Sequence, residues 1–365
     1  MTKLLPLDLH PPIKGGLHFA YPLSILGTRK EHTPWLHNHF TQLFCHADFP
    51  HHDFFSIYFH TAYPFLICPL LDVQWLDRKL VSDTPEDLIR FIVGCIDRDY
   101  YVQLFADEFF IPDRGAYKKH HFVHDTLISG YDNSTEELQI VGYNSRGQYT
   151  TSCVGFSAMA QALAAVDQLP PEEQHFRFRQ LWLARYLEEE TCHFDRTLVS
   201  EQLRDFLTSR NSSERLRMIN SPEEVGSYRE RVPLTYGLET YRCLGRYLDL
   251  LGRGECRFDP RPFHWFWEHK QCMLARLEYM EQHRFVDSEQ PISPRYQIIL
   301  EDARIVRMML LKYGMRPDRA LLNRARHRLD RCIRLEIPLL EEVLEKIDPN
   351  RHTSDLDIKY LPLTT

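Results

Sequence analysis

The sequence is poor in several things that would each have named a class of protein. It has no Cys-x-x-Cys pair, no internal repeat, no low-complexity tract and no positive excess. Its nine cysteines (45, 68, 95, 153, 192, 243, 256, 272 and 332) are scattered singly and odd in number. That pattern excludes a disulfide framework and predicts reduced thiols in a cytoplasmic protein. The net charge of −7 and pI near 6.3 exclude a whole-chain nucleic-acid binder, which carries a basic surplus. No apolar run reaches the ~18 residues that span a bilayer, and Asp8 and paired prolines interrupt the N-terminal stretch, so neither a signal peptide nor a membrane association is expected. What is present is ample core material: 43% of the 365 residues are hydrophobic and 12% aromatic.

A chain of this length exceeds the ~250–300 residues at which single cores stop growing, which predicts two domains. The texture changes near residue 168. Before it, FFSIYFH (54–60), YYVQLF (100–105), FVHDTLISGY (122–131) and LQIVGY (138–143) read as strands. Helical spacing lies between them at 35–47, 85–97 and 155–167, with Thr84 as N-cap and Pro85 at the first helical position. After LPPEE (169–173) apolar residues recur every three or four over 172–190, 196–209, 221–230, 235–252, 262–283, 294–313 and 318–347, and Pro338 should end or kink the last helix. The expectation is an α+β domain over 1–168, an α-helical domain over 169–350 and a tail over 351–365.

Reactive side chains are densest in 107–149. The DNSTE turn (132–136) suggests a hairpin in which Tyr131 faces Glu137 and His124 faces Asn144. An amide opposite an imidazole fixes its tautomer, the arrangement of a general base and its orienter. The ordinary alternative is a strand histidine and a turn asparagine.

The runs DEFFIP, YKKHHFVHD, LISGYD, QIVGYN and GQY resemble the His-bearing hairpin of papain-like proteins related to the N-terminal domain of the butirosin-biosynthesis acyltransferase. The likeness covers roughly 17–165, and more loosely the chain through 261–280. It implies a papain-like (cysteine-peptidase) fold domain followed by the helical domain, and an amide-forming acyl transfer in a natural-product pathway. The acyl group would come from an acyl or peptidyl carrier protein, which supplies the phosphopantetheine, and pass to a small-molecule amine. No bound cofactor is implied. By this matching His124 is the base, Asn144 its orienter, and Asp107 and Tyr117 lie near the cleft.

A papain-type nucleophile belongs at a helix N-terminus, where unpaired N–H groups favour a thiolate. The expected place, PWLHNHF (34–40), has no cysteine. The candidates are Cys45, read as two turns further along the same helix, then Cys68, then a site with no covalent step. His37 and His39 occupy the nucleophile's place and are candidates to bind the substrate carbonyl. A thioester is already activated, so direct attack by an amine needs only a base and an oxyanion donor. The alternatives are a catalytically inactive papain-like module that binds a carrier protein or peptide, and a cysteine peptidase. An HHxxxD string (His120, His121, Asp125) also resembles, weakly, the core motif of nonribosomal-peptide condensation domains, which serve the same reaction class.

Three other groups stand out. His264, Glu268 and His269 crowd one helix without zinc spacing, which favours packing, with Glu268 pairing Arg261 or Lys270. The seven histidines in 32–60 also lack ligand spacing, so no metal is expected. The segment 304–336 carries ten lysines and arginines: Arg304, Arg307, Lys312, Arg316, Arg319, Arg324, Arg326, Arg328, Arg331 and Arg334. They form either a solvated face paired with Asp318, Asp330 and Glu336, or a docking patch for an acidic carrier protein.

Overall fold

The computed structural model describes residues 1–46, 57–60, 64–213, 233–286 and 290–347. The expectations for 54–56, 221–230 and 351–365 lie outside the described residues. The architecture is α+β with antiparallel sheets. The chain divides into two compact units, Met1–His32 with Pro64–Cys192, and Thr33–Tyr63 with His193–Thr365. This division differs from a single break near 168. The stretch 172–190, expected to be helical, instead supplies a strand to the first unit, and 33–63 belongs to the helix-rich second unit.

The first unit is built on a seven-stranded sheet. Its strands are β1 (Thr2–Leu4), β4 (Leu71–Asp77), β5 (Tyr101–Asp107), β6 (Val123–Asp132), β7 (Glu137–Tyr143), β8 (Tyr149–Gly155) and β9 (Gln180–Tyr186). The order is β4-β9-β5-β6-β7-β8, and β1 pairs with the end of β6. Leu181, Trp182, Leu183 and Ala184 of β9 are all buried, the mark of a strand covered on both faces. Near the turn, Tyr131 faces Leu138 and Asp132 faces Glu137, one step from the expected register. A bulge between Ile128 and Gly130 absorbs that step, so that Leu127 faces Val141. At Gly130 a side chain would meet Leu4 and the Lys3 carbonyl of β1, within 2.5 and 2.7 Å.

Helices cover this sheet. In α1 (Leu17–Leu26) nearly every residue is buried, and the Tyr21 hydroxyl is shared between the Asp125 and Val141 carbonyls at 3.0 and 3.2 Å. The short α3 (Pro64–Ile67) and α4 (Arg78–Val81) flank β4. As expected, α5 (Pro85–Ile96) starts on the Thr84 cap with Pro85 in its first turn, and buries Leu88, Ile89 and Ile92. α6 (Phe156–Asp167) packs on β5 and α5.

In the second unit α2 (Thr33–Asn38) stops well before residue 47, and β2 (Leu43–His46) follows it. Strands β3 (Tyr58–Phe59) and β10 (Leu234–Tyr236) complete a small sheet in the order β10-β2-β3. The further helices among its described residues are α7 (Arg196–Leu207), α8 (Glu239–Arg253), α9 (Arg261–Gln282), α10 (Ser293–Met315) and α11 (Arg319–Ile347). Asp195 caps α7, and Gly254 ends α8 in the left-handed region at φ 72°. α11 does not end at Pro338 but continues through it.

This unit buries charge as well as carbon. Lys270 Nζ lies 2.7 Å from both carboxylate oxygens of Glu336, and the Tyr241 hydroxyl donates to Glu336 Oε2 at 2.9 Å. Tyr296 donates to the other oxygen, and the Phe266 ring lies 4.9 Å from the ammonium. Lys270 and Glu336 have no solvent exposure. The expected surface pairings of Glu268 are replaced: it contacts His264 at 3.1 Å, while Arg261 holds Asp259 and Lys270 holds Glu336.

Candidate functional site

Where β5 ends, Asp107 faces Val123 at the start of β6, so the connection 108–122 must double back at the ends of these two interior strands. A 3-10 turn (Glu108–Phe110) opens it. Buried Arg114 fastens its middle, donating to the carbonyls of Tyr143 at 2.8 Å and Val141 at 3.1 Å. Gly142 makes room for this guanidinium, since a Cβ there would lie 2.6 Å from it.

The anchored connection brings His121 back to Asp107. His121 Nδ1 lies 2.6 Å from Asp107 Oδ2. The other carboxylate oxygen accepts the backbone N–H groups of Phe109 and Phe122, both at 3.0 Å. Asp107 is therefore fixed by three donors and is only 2% exposed, whereas the His121 side chain is 65% exposed and stacks on Phe109 at 4.5 Å. A carboxylate only accepts, so Nδ1 carries the proton and Nε2 is left as the basic nitrogen. A buried, hydrogen-bonded carboxylate behind an accessible imidazole fixes the tautomer and the orientation of the ring.

His124 sits beside this pair. Its Nδ1 is 3.7 Å from both Glu108 Oε1 and Asp125 Oδ1, beyond hydrogen-bond reach, and its ring stacks on Phe122 at 5.1 Å. Burial raises the Glu108 carboxyl above its usual range, against the opposing pull of His124 and Arg114. Asp125 Oδ2 accepts Gln103 Nε2 at 2.9 Å. Tyr117 is half-buried within the same connection, with Lys118 Nζ over its ring at 5.2 Å.

The expected pairing of His124 with Asn144 is not formed. Asn144 Oδ1 accepts the backbone N–H groups of Arg146 and Gln148 at 3.0 and 2.9 Å, which makes it the organiser of the β7–β8 turn. The extrapolated register reached Asn144, but the β6–β7 ladder ends at Leu127 and Val141.

Three further candidates, Cys45, His37 and His39, fall in the second unit. Cys45 lies on β2 rather than on a helix, faces Thr235, and is wholly buried. Burial pushes its thiol well above the ordinary value, with further contributions from neighbouring Cys243, so a thiolate is disfavoured. Cys68, in the first unit, is likewise buried and pushed up to about 12. His37 and His39 close the C-terminal end of α2. Arg276 donates to the His37 carbonyl at 2.8 Å and to that of His39, His39 Nδ1 donates to the Trp35 carbonyl at 2.8 Å, and the His37 ring lies 4.7 Å from Tyr279. The first helix of the sheet-bearing unit is α1, and its opening turn, Leu17, His18, Phe19 and Ala20, also lacks a cysteine.

A groove of about 860 Å³ lies between α5 and α6, lined by Ile89, Val93, Phe156 and Ala160. It shares no residue with the histidine group and adjoins the opposite end of β6, so volume and chemistry disagree. The oriented imidazole is the better marker of a reacting centre, because an open groove by itself supplies no proton acceptor. Among the described residues no three metal-ligating side chains converge, and no helix is long and apolar enough to cross a membrane.

The sequence reading missed His121 as the oriented histidine. The available signal was the second histidine of HHxxxD, but a long connection between β5 and β6 does not reveal a register. Compared with known proteins, the chain matches no protein-family model and no curated protein.

Proposed function

We propose that the protein forms an amide by transferring an acyl group from a carrier-protein thioester to an amine, with His121 as general base and Asp107 as its orienter. The observation that carries the base assignment is the 2.6 Å contact between a buried, triply held carboxylate and an exposed imidazole. The acyl-transfer class rests on the resemblance of the hairpin sequence, within which the sheet and α1 would correspond to a papain-like domain. In this scheme Nε2 of His121 takes a proton from the attacking amine as its nitrogen bonds to the thioester carbon. The C–S bond then breaks, and the proton passes from the imidazolium to the departing phosphopantetheine sulfur. Glu108 and Asp125 alongside favour a cationic acceptor over an anionic one.

Direct attack is the route that fits the thiols. Cys45 and Cys68 are buried and held protonated, and neither the α1 start nor the α2 start carries a cysteine. The same facts work against a peptidase, which needs a nucleophile to open an unactivated amide. They are also what the second reading draws on, a papain-like module that binds a carrier protein or peptide without turnover.

The test is acyl transfer from a carrier-bound thioester and from a soluble pantetheine thioester to a panel of diamines, followed by mass spectrometry. His121→Ala should slow transfer by ~10²–10⁴, and Asp107→Asn should approach that loss. A folded His121→Ala protein with normal turnover would overturn the assignment. A wild-type protein that binds carrier but turns over neither thioester would leave the binding-module reading.

A further inference from the structure

The ten cations of 304–336 are not one patch, because the structure sorts them by partner. Arg304 holds Glu301 at 2.6 Å, and Arg326 holds Asp249 at 2.9 Å and Asp330 at 3.2 Å. Arg328 and Arg331 both reach Asp302, a carboxylate 2% exposed, the latter at 3.1 Å. Arg307 donates to His264 Nδ1 at 2.8 Å and lies over the Trp267 ring. Apart from Arg304, whose partner Glu301 is on its own helix, these side chains tie α10 and α11 to each other or to α8 and α9. Glu336, once expected at the surface, is committed to Lys270.

The remainder is different. Lys312, Arg316, Arg319, Arg324 and Arg334 are exposed, and none forms an ion pair with a described residue. Three of them, Lys312, Arg316 and Arg319, converge with Met315 and Leu321 on a depression of about 650 Å³ at the turn from α10 to α11. Met315, 87% exposed, is the most exposed large apolar side chain among the described residues of this unit. The one acid in the depression, Asp318, uses Oδ1 to accept the Ala320 N–H at 2.9 Å.

We infer that the α10–α11 turn is the docking surface for an acidic carrier protein, with Met315 as its apolar anchor and Lys312, Arg316 and Arg319 as its charged rim. The inference rests on the acyl-transfer reading for the partner's identity and on charge complementarity for the place. In a chain of net charge −7, three convergent cations against the single carboxylate of Asp318 attract an acidic surface and repel a basic one. The exposed thioether supplies the adaptable apolar contact that rim charges alone lack.

The experiment measures binding of a purified acidic holo-acyl carrier protein to the full chain by calorimetry at low and high salt, alongside turnover of the soluble pantetheine thioester. Reversing all three cations (Lys312→Glu, Arg316→Glu, Arg319→Glu) should weaken carrier binding by roughly tenfold or more at ~0.05 M salt, and by much less at 0.5 M. Turnover of the soluble thioester, which bypasses docking, should be unchanged. Arg316→Glu alone keeps the test open should the triple variant fold poorly, and should weaken binding about two- to fivefold. Arg334→Glu, exposed and unpaired elsewhere on α11, should change carrier affinity little. Unaltered carrier affinity in a folded triple variant, or loss equal to that in Arg334→Glu, overturns the docking surface. Tighter binding of duplex DNA than of the carrier at equal salt overturns the choice of partner. If wild type turns over no thioester yet loses carrier binding in the triple variant, the docking surface stands and the catalytic proposal falls.

Discussion

Two groups of charged side chains in this protein are built to opposite specifications. Lys270, Glu336, Tyr241 and Tyr296 in the second unit are sealed from water, and the carboxylate is surrounded by donors. Around His121 in the first unit the acid is buried but the base it orients is exposed. The first arrangement leaves nothing over to react with, since each strong donor and acceptor is already engaged. The second holds one nitrogen ready while fixing everything behind it. Burial and charge alone would have ranked Lys270 first as a functional residue, and the comparison shows why they should not. What distinguishes a reacting group is an orienting partner on one side and access on the other.

The sharpest way to break the comparison is to remove one member of the sealed group. Lys270→Ala leaves a carboxylate with no cation in an interior that cannot hydrate it. It should cost about 3–5 kcal/mol of stability, read as a lowered urea midpoint. Replacing both members together, Lys270→Met with Glu336→Leu, should recover much of that loss because no charge remains unanswered. A Lys270→Ala protein as stable as wild type would mean that water reaches the site and that the two regions are not opposites. His121→Ala, by contrast, should leave the midpoint nearly unchanged while removing turnover.

A smaller effect separates the units by pH. Burial lowers the proton affinity of His39 and, far more, of His269, whose Nε2 donates to the Thr41 carbonyl at 2.8 Å. Below about pH 6.5 the unfolded chain then binds more protons than the folded one, so stability present above that pH is lost as pH falls. Glu108 has the reverse sign. Its carboxyl is raised by burial, so between its unfolded and folded values the folded state holds the extra proton, and stability falls as pH rises from about 4.5. Melting curves between pH 7.5 and 5.5 should show an acid loss of a few degrees that His269→Gln makes shallower. Glu108→Gln should leave that slope alone and remove the opposing trend at lower pH. Identical slopes in wild type and His269→Gln would show that this imidazole is not held neutral.

The parts legible in the sequence were those with local signals. Thr84 and Pro85 announced α5, the DNSTE turn announced the β6–β7 hairpin, and long amphipathic periods announced α9, α10 and α11 within a residue or two. The strand β9 was illegible for a physical reason. A strand buried on both faces is a continuous apolar run, LWLA, that carries no alternation and fits a helical period equally well. The LFCH run of β2 failed in the same way and carried Cys45 with it. In the candidate site, Asp107 was marked by its motif, but its partner was not, because register across a long connection is set by Arg114 reaching the β7 carbonyls and no turn residue records that. The hairpin register was off by one at the turn because a bulge leaves no obvious trace in Ile128, Ser129 and Gly130.

The mildest prediction concerns Asn144, for which the two accounts of the hairpin differ most cleanly. Its side chain holds two backbone N–H groups of the β7–β8 turn, and the neighbouring Ser145 N–H donates to the Asp113 carbonyl at 2.7 Å, next to Arg114. Asn144→Ala should therefore cost about 1 kcal/mol by releasing the turn, the usual worth of a side-chain bond to backbone. Turnover should fall by no more than about threefold, and the pH–rate profile should keep its shape, since the imidazole that takes the proton is oriented by Asp107. An orienter of the base would behave otherwise: loss of the correct tautomer slows a histidine-dependent reaction by orders of magnitude and distorts its pH dependence. A thousandfold loss in Asn144→Ala with unchanged stability would return the role of base to His124, and with it the hairpin pairing read from the sequence.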